Sequence, residues 1–176
     1  MFFLVGTILG TTNGVTRSCV VPAGKFLFFP LVNLEDNIAE ETASNLVGQP
    51  ITAARMATLL NCLVAGGTTP FGSPFSTCEG ATSLNASIDD QPLRDLFRYR
   101  AVSPTFSITA PAGPNLEGDF GFPNISGTVS PVVADGFYLM LAPLSLGVHT
   151  IQFGGTLGSP LDTPLSEITY HLSVVP

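Results

Sequence analysis

The chain predicts an all-β fold: an antiparallel β-sandwich, jelly-roll or immunoglobulin-like, of about eight or nine strands with a short helical insertion near residues 51–64. Three observations carry that reading. The apolar runs are short, and several alternate with polar residues at the two-residue period of a half-buried strand. Eighteen Gly and fifteen Pro punctuate the 176 residues, which supplies a turn between nearly every pair of runs. A single stretch repeats its apolar side chains at helical spacing. A chain of this length buries roughly 70% of its unfolded surface as one domain, so residues 1–176 read as a single β-sandwich domain, with a helical and loop insertion at about 33–80.

The elements follow in order. Phe2-Phe3-Leu4-Val5 reads as a first strand. The surrounding apolar run lacks a basic flank, is broken by Gly6 and is too short to span a bilayer, so it is neither a signal peptide nor a membrane helix. A strand at residue two leads to the expectation of a trimmed chain whose export signal lies upstream. Asn13-Gly14 is a hairpin signal ahead of Val15–Val21 and predicts an antiparallel pair with the first strand. Lys25–Val32, rich in Phe, reads as a strand buried on both faces. Asn33–Asn45 carries Glu35, Asp36, Glu40 and Glu41 and reads as a loop with one helical turn. From Pro50 to Leu63, Met56, Leu59, Leu60 and Leu63 form one helical face that Gly66-Gly67 terminates. Strand patterning returns at Leu84–Ile88, before the turn Asp89-Asp90, and at Thr105–Thr109. Pro111–Pro131 reads as a long loop of the kind that binds or covers. The last third holds Asp135–Ala142, Gly147–Phe153 and Ile168–Val175, read as an antiparallel meander.

Composition removes whole classes of function. Lys and Arg number six against thirteen Asp and Glu, for a net charge of −7. No basic stripe exists to neutralise phosphates, so nucleic acid is not a partner, and no segment inserts in a membrane. Trp is absent and Tyr numbers three, which weighs against the aromatic platforms that bind polysaccharide. Of the three cysteines, Cys62 and Cys78 are the natural pair, because the Gly- and Pro-rich stretch between them needs a tether worth ~3 kcal/mol. Cys19 is then a free thiol or lacks a partner that lies upstream. Three reduced thiols in a cytoplasmic protein are the alternative.

Two segments carry a family resemblance: Cys19-Val-Val-Pro-Ala-Gly-Lys-Phe-Leu-Phe-Phe-Pro30, and Asp135-Gly-Phe-Tyr-Leu-Met-Leu-Ala-Pro-Leu-Ser145 with Gly147-Val-His-Thr-Ile-Gln-Phe-Gly-Gly155. They resemble a family of uncharacterised exported bacterial proteins, often with further residues and a further cysteine ahead of this start. The resemblance implies export, a secreted or extracytoplasmic location, and an N-terminal segment beyond Met1; it supplies no activity. The run Pro143–Ile151 is also similar to the strand-turn-strand of many immunoglobulin-like domains, an analogy of fold alone.

Candidate sites are sparse. His149 and His171 lie in neighbouring predicted strands, where two imidazoles facing across a ladder serve a metal or a hydrolase; a pair of hydrogen-bonded structural histidines is the alternative. Asp135 or Asp162 is the carboxylate that would orient either histidine, although no Gly-x-Ser-x-Gly elbow is present and nothing in the sequence favours such a triad. Glu35, Asp36, Glu40 and Glu41 offer the oxygen ligands that calcium takes, but without EF-hand spacing, and a solvated acidic loop serves as well. No other cofactor is indicated. The leading reading is an exported structural or interaction module whose loops and helical insertion contact a protein or cell-surface partner, with self-association open. The alternative is a small extracytoplasmic hydrolase or metal-dependent enzyme using His149 and His171. Buried or diverging histidines with an exposed apolar patch favour the first; converging, accessible histidines favour the second.

Overall fold

The computed structural model describes residues 1–6, 14–119, 121–122 and 125–176. The chain opens with β1 (Phe2–Phe3), β2 (Val15–Pro22) and β3 (Leu27–Asn37). Asn37 ends β3 and caps α1 (Ile38–Ser44), its side-chain oxygen accepting from the backbone N–H of Ala39 and Glu40. Thr52 caps α2 (Ala53–Ala65) through the N–H of Arg55. Gly66, at a φ of 82° that a side chain resists, closes it. A ribbon, β4 (Gly67–Thr68) with β5 (Thr77–Cys78), follows and leads to β6 (Ala81–Ile88) and β7 (Gln91–Pro92). Asp89 and Asp90 join the last two with φ of 49° and 63°, both positive as a primed hairpin turn requires. A 3-10 turn at Leu96–Tyr99 precedes β8 (Arg100–Val102) and β9 (Phe106–Ala110). The chain then runs through α3 (Leu116–Asp119), β10 (Gly127–Leu141), β11 (Gly147–Leu157) and β12 (Thr163–Val175).

The fold is mostly β, as the patterning predicts. Twelve strands are described, of which β1, β4, β5 and β7 have two residues each, leaving eight longer ones. All twelve together form two five-stranded sheets and the β4–β5 ribbon. In the first sheet the order is β1-β3-β10, with β8 and β9 both on the far edge of β10; in the second it is β2-β12-β11-β6-β7.

Several expectations are corrected by this topology. The sheets are not wholly antiparallel: β1 runs parallel to β3, and β2 parallel to β12. The first two strands are therefore not a hairpin but belong to different sheets, while Asn13 lies outside the described residues. The C-terminal meander is also split. β11 and β12 form an antiparallel hairpin, but β10 pairs with β3 in the other sheet, so the chain changes sheets between Leu141 and Gly147. β3 continues to Asn37 and the helical segment starts at Ile38, because Leu34 and Asp36 alternate inward against Asn33 and Glu35. The loop expected to reach Pro131 ends where β10 begins, at Gly127.

The β3–β10 ladder is the organising element. Between Pro30 and Val32 it carries a bulge at Leu31, after which Val32 faces Phe137. The extra residue keeps Leu27, Phe29, Val32, Leu34 and Asp36 on one face with Leu139, Phe137, Asp135 and Val133 of β10. Part of this inner face meets the second sheet, where the rings of Phe29 and Phe153 lie 4.5 Å apart and both are fully buried. Another part carries α2, whose Met56, Leu59, Leu60 and Leu63 are buried against β3 and β10. At the N-terminus Leu4, 2% exposed, joins the same core, and the Tyr170 hydroxyl both accepts from Val5 N–H and donates to Val5 C=O, each at 3.0 Å.

The sheets approach closely at Gly155. A Cβ there would stand 2.8 Å from the carbonyl oxygen of Ser83 and collide with a methyl of Val32. Both obstacles belong to packed strands, so little can give way. Gly155→Ala is accordingly expected to destabilise the protein by about 1–3 kcal/mol, read as a lower denaturant midpoint with unchanged slope; an unaltered midpoint would show that the sheets are not locked there.

Candidate functional site

His149 and His171 do not converge. In the β11–β12 register His149 faces Leu172 and His171 faces Thr150, so the two imidazoles project from opposite faces of the sheet. His149 lies on the side of the buried Leu172 at the end of the strand; His171 is exposed, with Nδ1 3.4 Å from the Thr150 hydroxyl. The residues that gather at His149 are ones the sequence reading did not pair with it. Its Nδ1 lies 2.7 Å from the Asp89 carboxylate, whose other oxygen accepts from Thr150 N–H at 2.8 Å. Its Nε2 lies 3.0 Å from the Ser145 carbonyl oxygen and 3.3 Å from the Ser145 hydroxyl.

Aspartate, histidine and serine thus stand in a row, but the hydrogen-bond directions define the chemistry. A carbonyl only accepts, so the 3.0 Å contact with Ser145 needs Nε2 as donor, while Nδ1 donates to Asp89. Both acceptors favour the protonated ring, which has no lone pair for a serine proton. The hydrogen bond to Asp89, reinforced by the Ser145 carbonyl, raises the His149 pKa despite some desolvation; the same bond, with Thr150 N–H, lowers that of Asp89. The cluster ties the β6–β7 turn to the segment entering β11. Asp135 is elsewhere, on the inner face of the first sheet, 1% exposed and paired with Arg100. Arg100 Nε donates to it at 2.9 Å, and Nη2 reaches both Asp135 and the Asn61 side-chain oxygen, 2.8 Å away on α2. The carboxylate offered as a catalytic partner therefore anchors α2 to the sheet.

The acidic candidates also divide. Glu35 is on the outer face of β3, with Asn37 Nδ2 at 3.5 Å from its carboxylate, and Glu40 is in the first turn of α1. Asp36 and Glu41 turn inward, 5% and 1% exposed. Glu41 Oε2 accepts from Val47 N–H at 2.9 Å, whereas Asp36 Oδ2 is buried without a hydrogen-bond partner. Burial pushes Asp36 up to about 7, and the Glu41 charge pushes the same way, against the Asn37 backbone N–H and with a smaller contribution from Glu35. Asp36 is thus a neutral acid below about 7, held beside the Glu41 carboxylate. Among the described residues no three His, Cys, Asp or Glu side chains come together as a metal site. Cys62 and Cys78 form a disulfide, which fastens the end of α2 to β5. Cys19 carries a free thiol, half-buried on β2.

An exposed apolar strip lies on the first sheet. Lys25–Val32 does not lie between two layers: Phe28 and Pro30 look outward from the first sheet, and Phe26 is 47% exposed. Phe3 faces Phe28 across the β1–β3 pair with ring centroids 5.9 Å apart; Phe28 stacks on Tyr138 at 5.7 Å and faces Met140 in the register. Phe3 and Met140 are 64% and 60% exposed. The signal was in the sequence, as two aromatic pairs, Phe2-Phe3 and Phe28-Phe29, that cannot both point inward from a strand. No helix among the described residues is long and apolar enough to cross a membrane.

No protein-family model and no curated protein matches the chain. Among solved structures it is similar to a cysteine protease inhibitor from Entamoeba histolytica, 13% identical over 93% of this chain and 95% of that one, at a TM-score of 0.27. At that score the likeness carries no argument about fold or partner.

Both clusters give pH tests. A raised Asp36 pKa contributes stability that is complete below its unfolded value of about 4 and is lost as pH rises through about 7. Asp36→Asn keeps the size and neutrality of the protonated acid and removes this loss. Its unfolding free energy should match wild type at pH 4 and exceed it at pH 8 by on the order of a few kcal/mol; parallel pH profiles in urea titrations would refute the assignment. The raised His149 pKa makes its contribution complete below the unfolded value and lost as pH rises through the folded one. In Asp89→Asn, NMR titration should find the His149 pKa lower than in wild type. No change would mean that Asp89 is not its partner.

Proposed function

We propose that the protein is an exported structural or interaction module, a β-sandwich of jelly-roll or immunoglobulin-like kind that binds another protein through the outer face of its first sheet. The observation that carries this reading is the apolar strip Phe3, Phe26, Phe28, Pro30, Tyr138 and Met140, gathered on one face of the first sheet. Contiguous exposed apolar area is what separates interaction surfaces from scattered surface hydrophobics. The strip is a flat sheet face, suited to a second apolar protein surface rather than to enclosing a small ligand. Lys25 is the one cation beside it in sequence, too few for attraction to anionic lipid.

The sandwich reading draws on the Phe29–Phe153 contact and the close approach at Gly155. Export draws on the Cys62–Cys78 disulfide, a bond that persists in oxidising compartments, and on the family resemblance of Cys19–Pro30 and Asp135–Gly155. The hydrolase alternative draws no such support, with its imidazoles on opposite faces and His149 held as a double donor.

The test is a photo-crosslinking amino acid placed at Met140, and separately at Ser173 on the outer face of the second sheet, in the cells that make the protein. Met140 should yield one discrete protein adduct that Phe3→Glu suppresses, and Ser173 none. Absence of an adduct at Met140, or the same adduct from Ser173, would defeat the proposal.

A further inference from the structure

A second surface stands apart from the apolar strip. The segment after α1, the first turns of α2 and the Pro70–Phe75 loop enclose an open cleft of about 380 Å³, within the range of small-ligand sites. Its lining holds no acidic residue, in a chain with thirteen of them. Its single charge is Arg55, which makes no ion pair among the described residues. Coulomb attraction there acts on an anion with no competing carboxylate in the wall.

The geometry of Arg55 narrows the ligand. The Val47 carbonyl accepts from Nε at 2.9 Å and also from Nη2, and the guanidinium carbon lies 4.9 Å from the centroid of the Phe71 ring. One edge of the planar group is thus used and one face is stacked. The opposite edge, the Nη1–Nη2 fork, keeps N–H donors with no partner among the described residues. Such a fork matches the two oxygens of a carboxylate, and holding it in place beforehand lowers the ordering cost of binding. Phe71, Phe75, Pro70 and Pro74 supply apolar walls beside it.

We infer that this cleft binds a carboxylate carried on an apolar or aromatic body, as at the C-terminus of a peptide, with Arg55 as its bidentate anchor. The strip on the first sheet has no part in this site, so either proposal can fail without the other.

N-acetylphenylalanine is the probe, titrated into the 15N-labelled protein beside its amide and inorganic phosphate, with amide shifts read at Val47, Phe71 and Gly72. The carboxylate should bind with saturable shifts at all three, and the amide at least about tenfold more weakly, the loss of one charge-assisted pair. Phosphate binding as tightly as the carboxylate would mean a simple anion site and overturn the apolar requirement. No shifts at ~10 mM probe, or equal affinity for acid and amide, would overturn the proposal altogether. Arg55→Gln should abolish binding. Because Arg55 also holds the Val47 segment, Gly72→Leu gives an independent reading: a Cβ at Gly72 meets nothing within 4 Å, so the substitution should block the cleft without unfolding the chain. Retained affinity in a folded Gly72→Leu variant would place the probe elsewhere.

Discussion

The bulge at Leu31 is the constraint on which the rest of the molecule depends. A strand keeps its faces apart only while its two-residue period holds, and one residue out of step exchanges inside for outside. β3 is apolar on both faces at its start and acidic at its end, so its sequence alone does not choose between registers. The extra residue lets Phe29 and Val32 both face inward. Phe29 then meets Phe153 of the second sheet, Asp36 meets Glu41 under α1, and Phe28 is left outside to stack on Tyr138. Core, buried acid pair and exposed strip are three results of one register.

The two buried acidic sites show opposite solutions to the cost of removing a carboxylate from water. Asp135 keeps its charge company: Arg100 engages both of its oxygens and passes the link to Asn61, so a charged group joins helix to sheet. Asp36 has no cation beside it among the described residues and is answered by its own proton instead, next to Glu41, whose carboxylate holds Val47 N–H. Desolvation without a counter-charge favours the neutral form.

Much of the framework could be read from the residues. The helix was legible in Met56, Leu59, Leu60 and Leu63, its end in Gly66, the turn in Asp89-Asp90, and the disulfide in the tether its Gly- and Pro-rich loop needs. These are local signals, set by side chains a few positions apart. Sheet membership was not legible: β10, β11 and β12 have equivalent patterns, and nothing local shows that the chain changes sheets after Leu141. The parallel pairing of β2 with β12 depends on residues at opposite ends of the sequence. The His149 cluster escaped for the same reason, since Asp89 had been explained completely as a turn former. Arg55 drew no attention because one arginine on a helix is ordinary until Phe71 and Val47 are placed around it.

The pairing of β2 with β12 also governs when the protein can be finished. Val15 lies opposite Ile168 and Val21 opposite Val174, so β2 waits for a partner synthesised about 150 residues downstream, and loop closure must precede any ladder energy. A nascent chain can form α2 and its turns early, yet its second sheet stays open until β12 emerges, with Val20 and Val21 uncovered meanwhile. That delay leaves the apolar residues of β2 uncovered until β12 pairs with it.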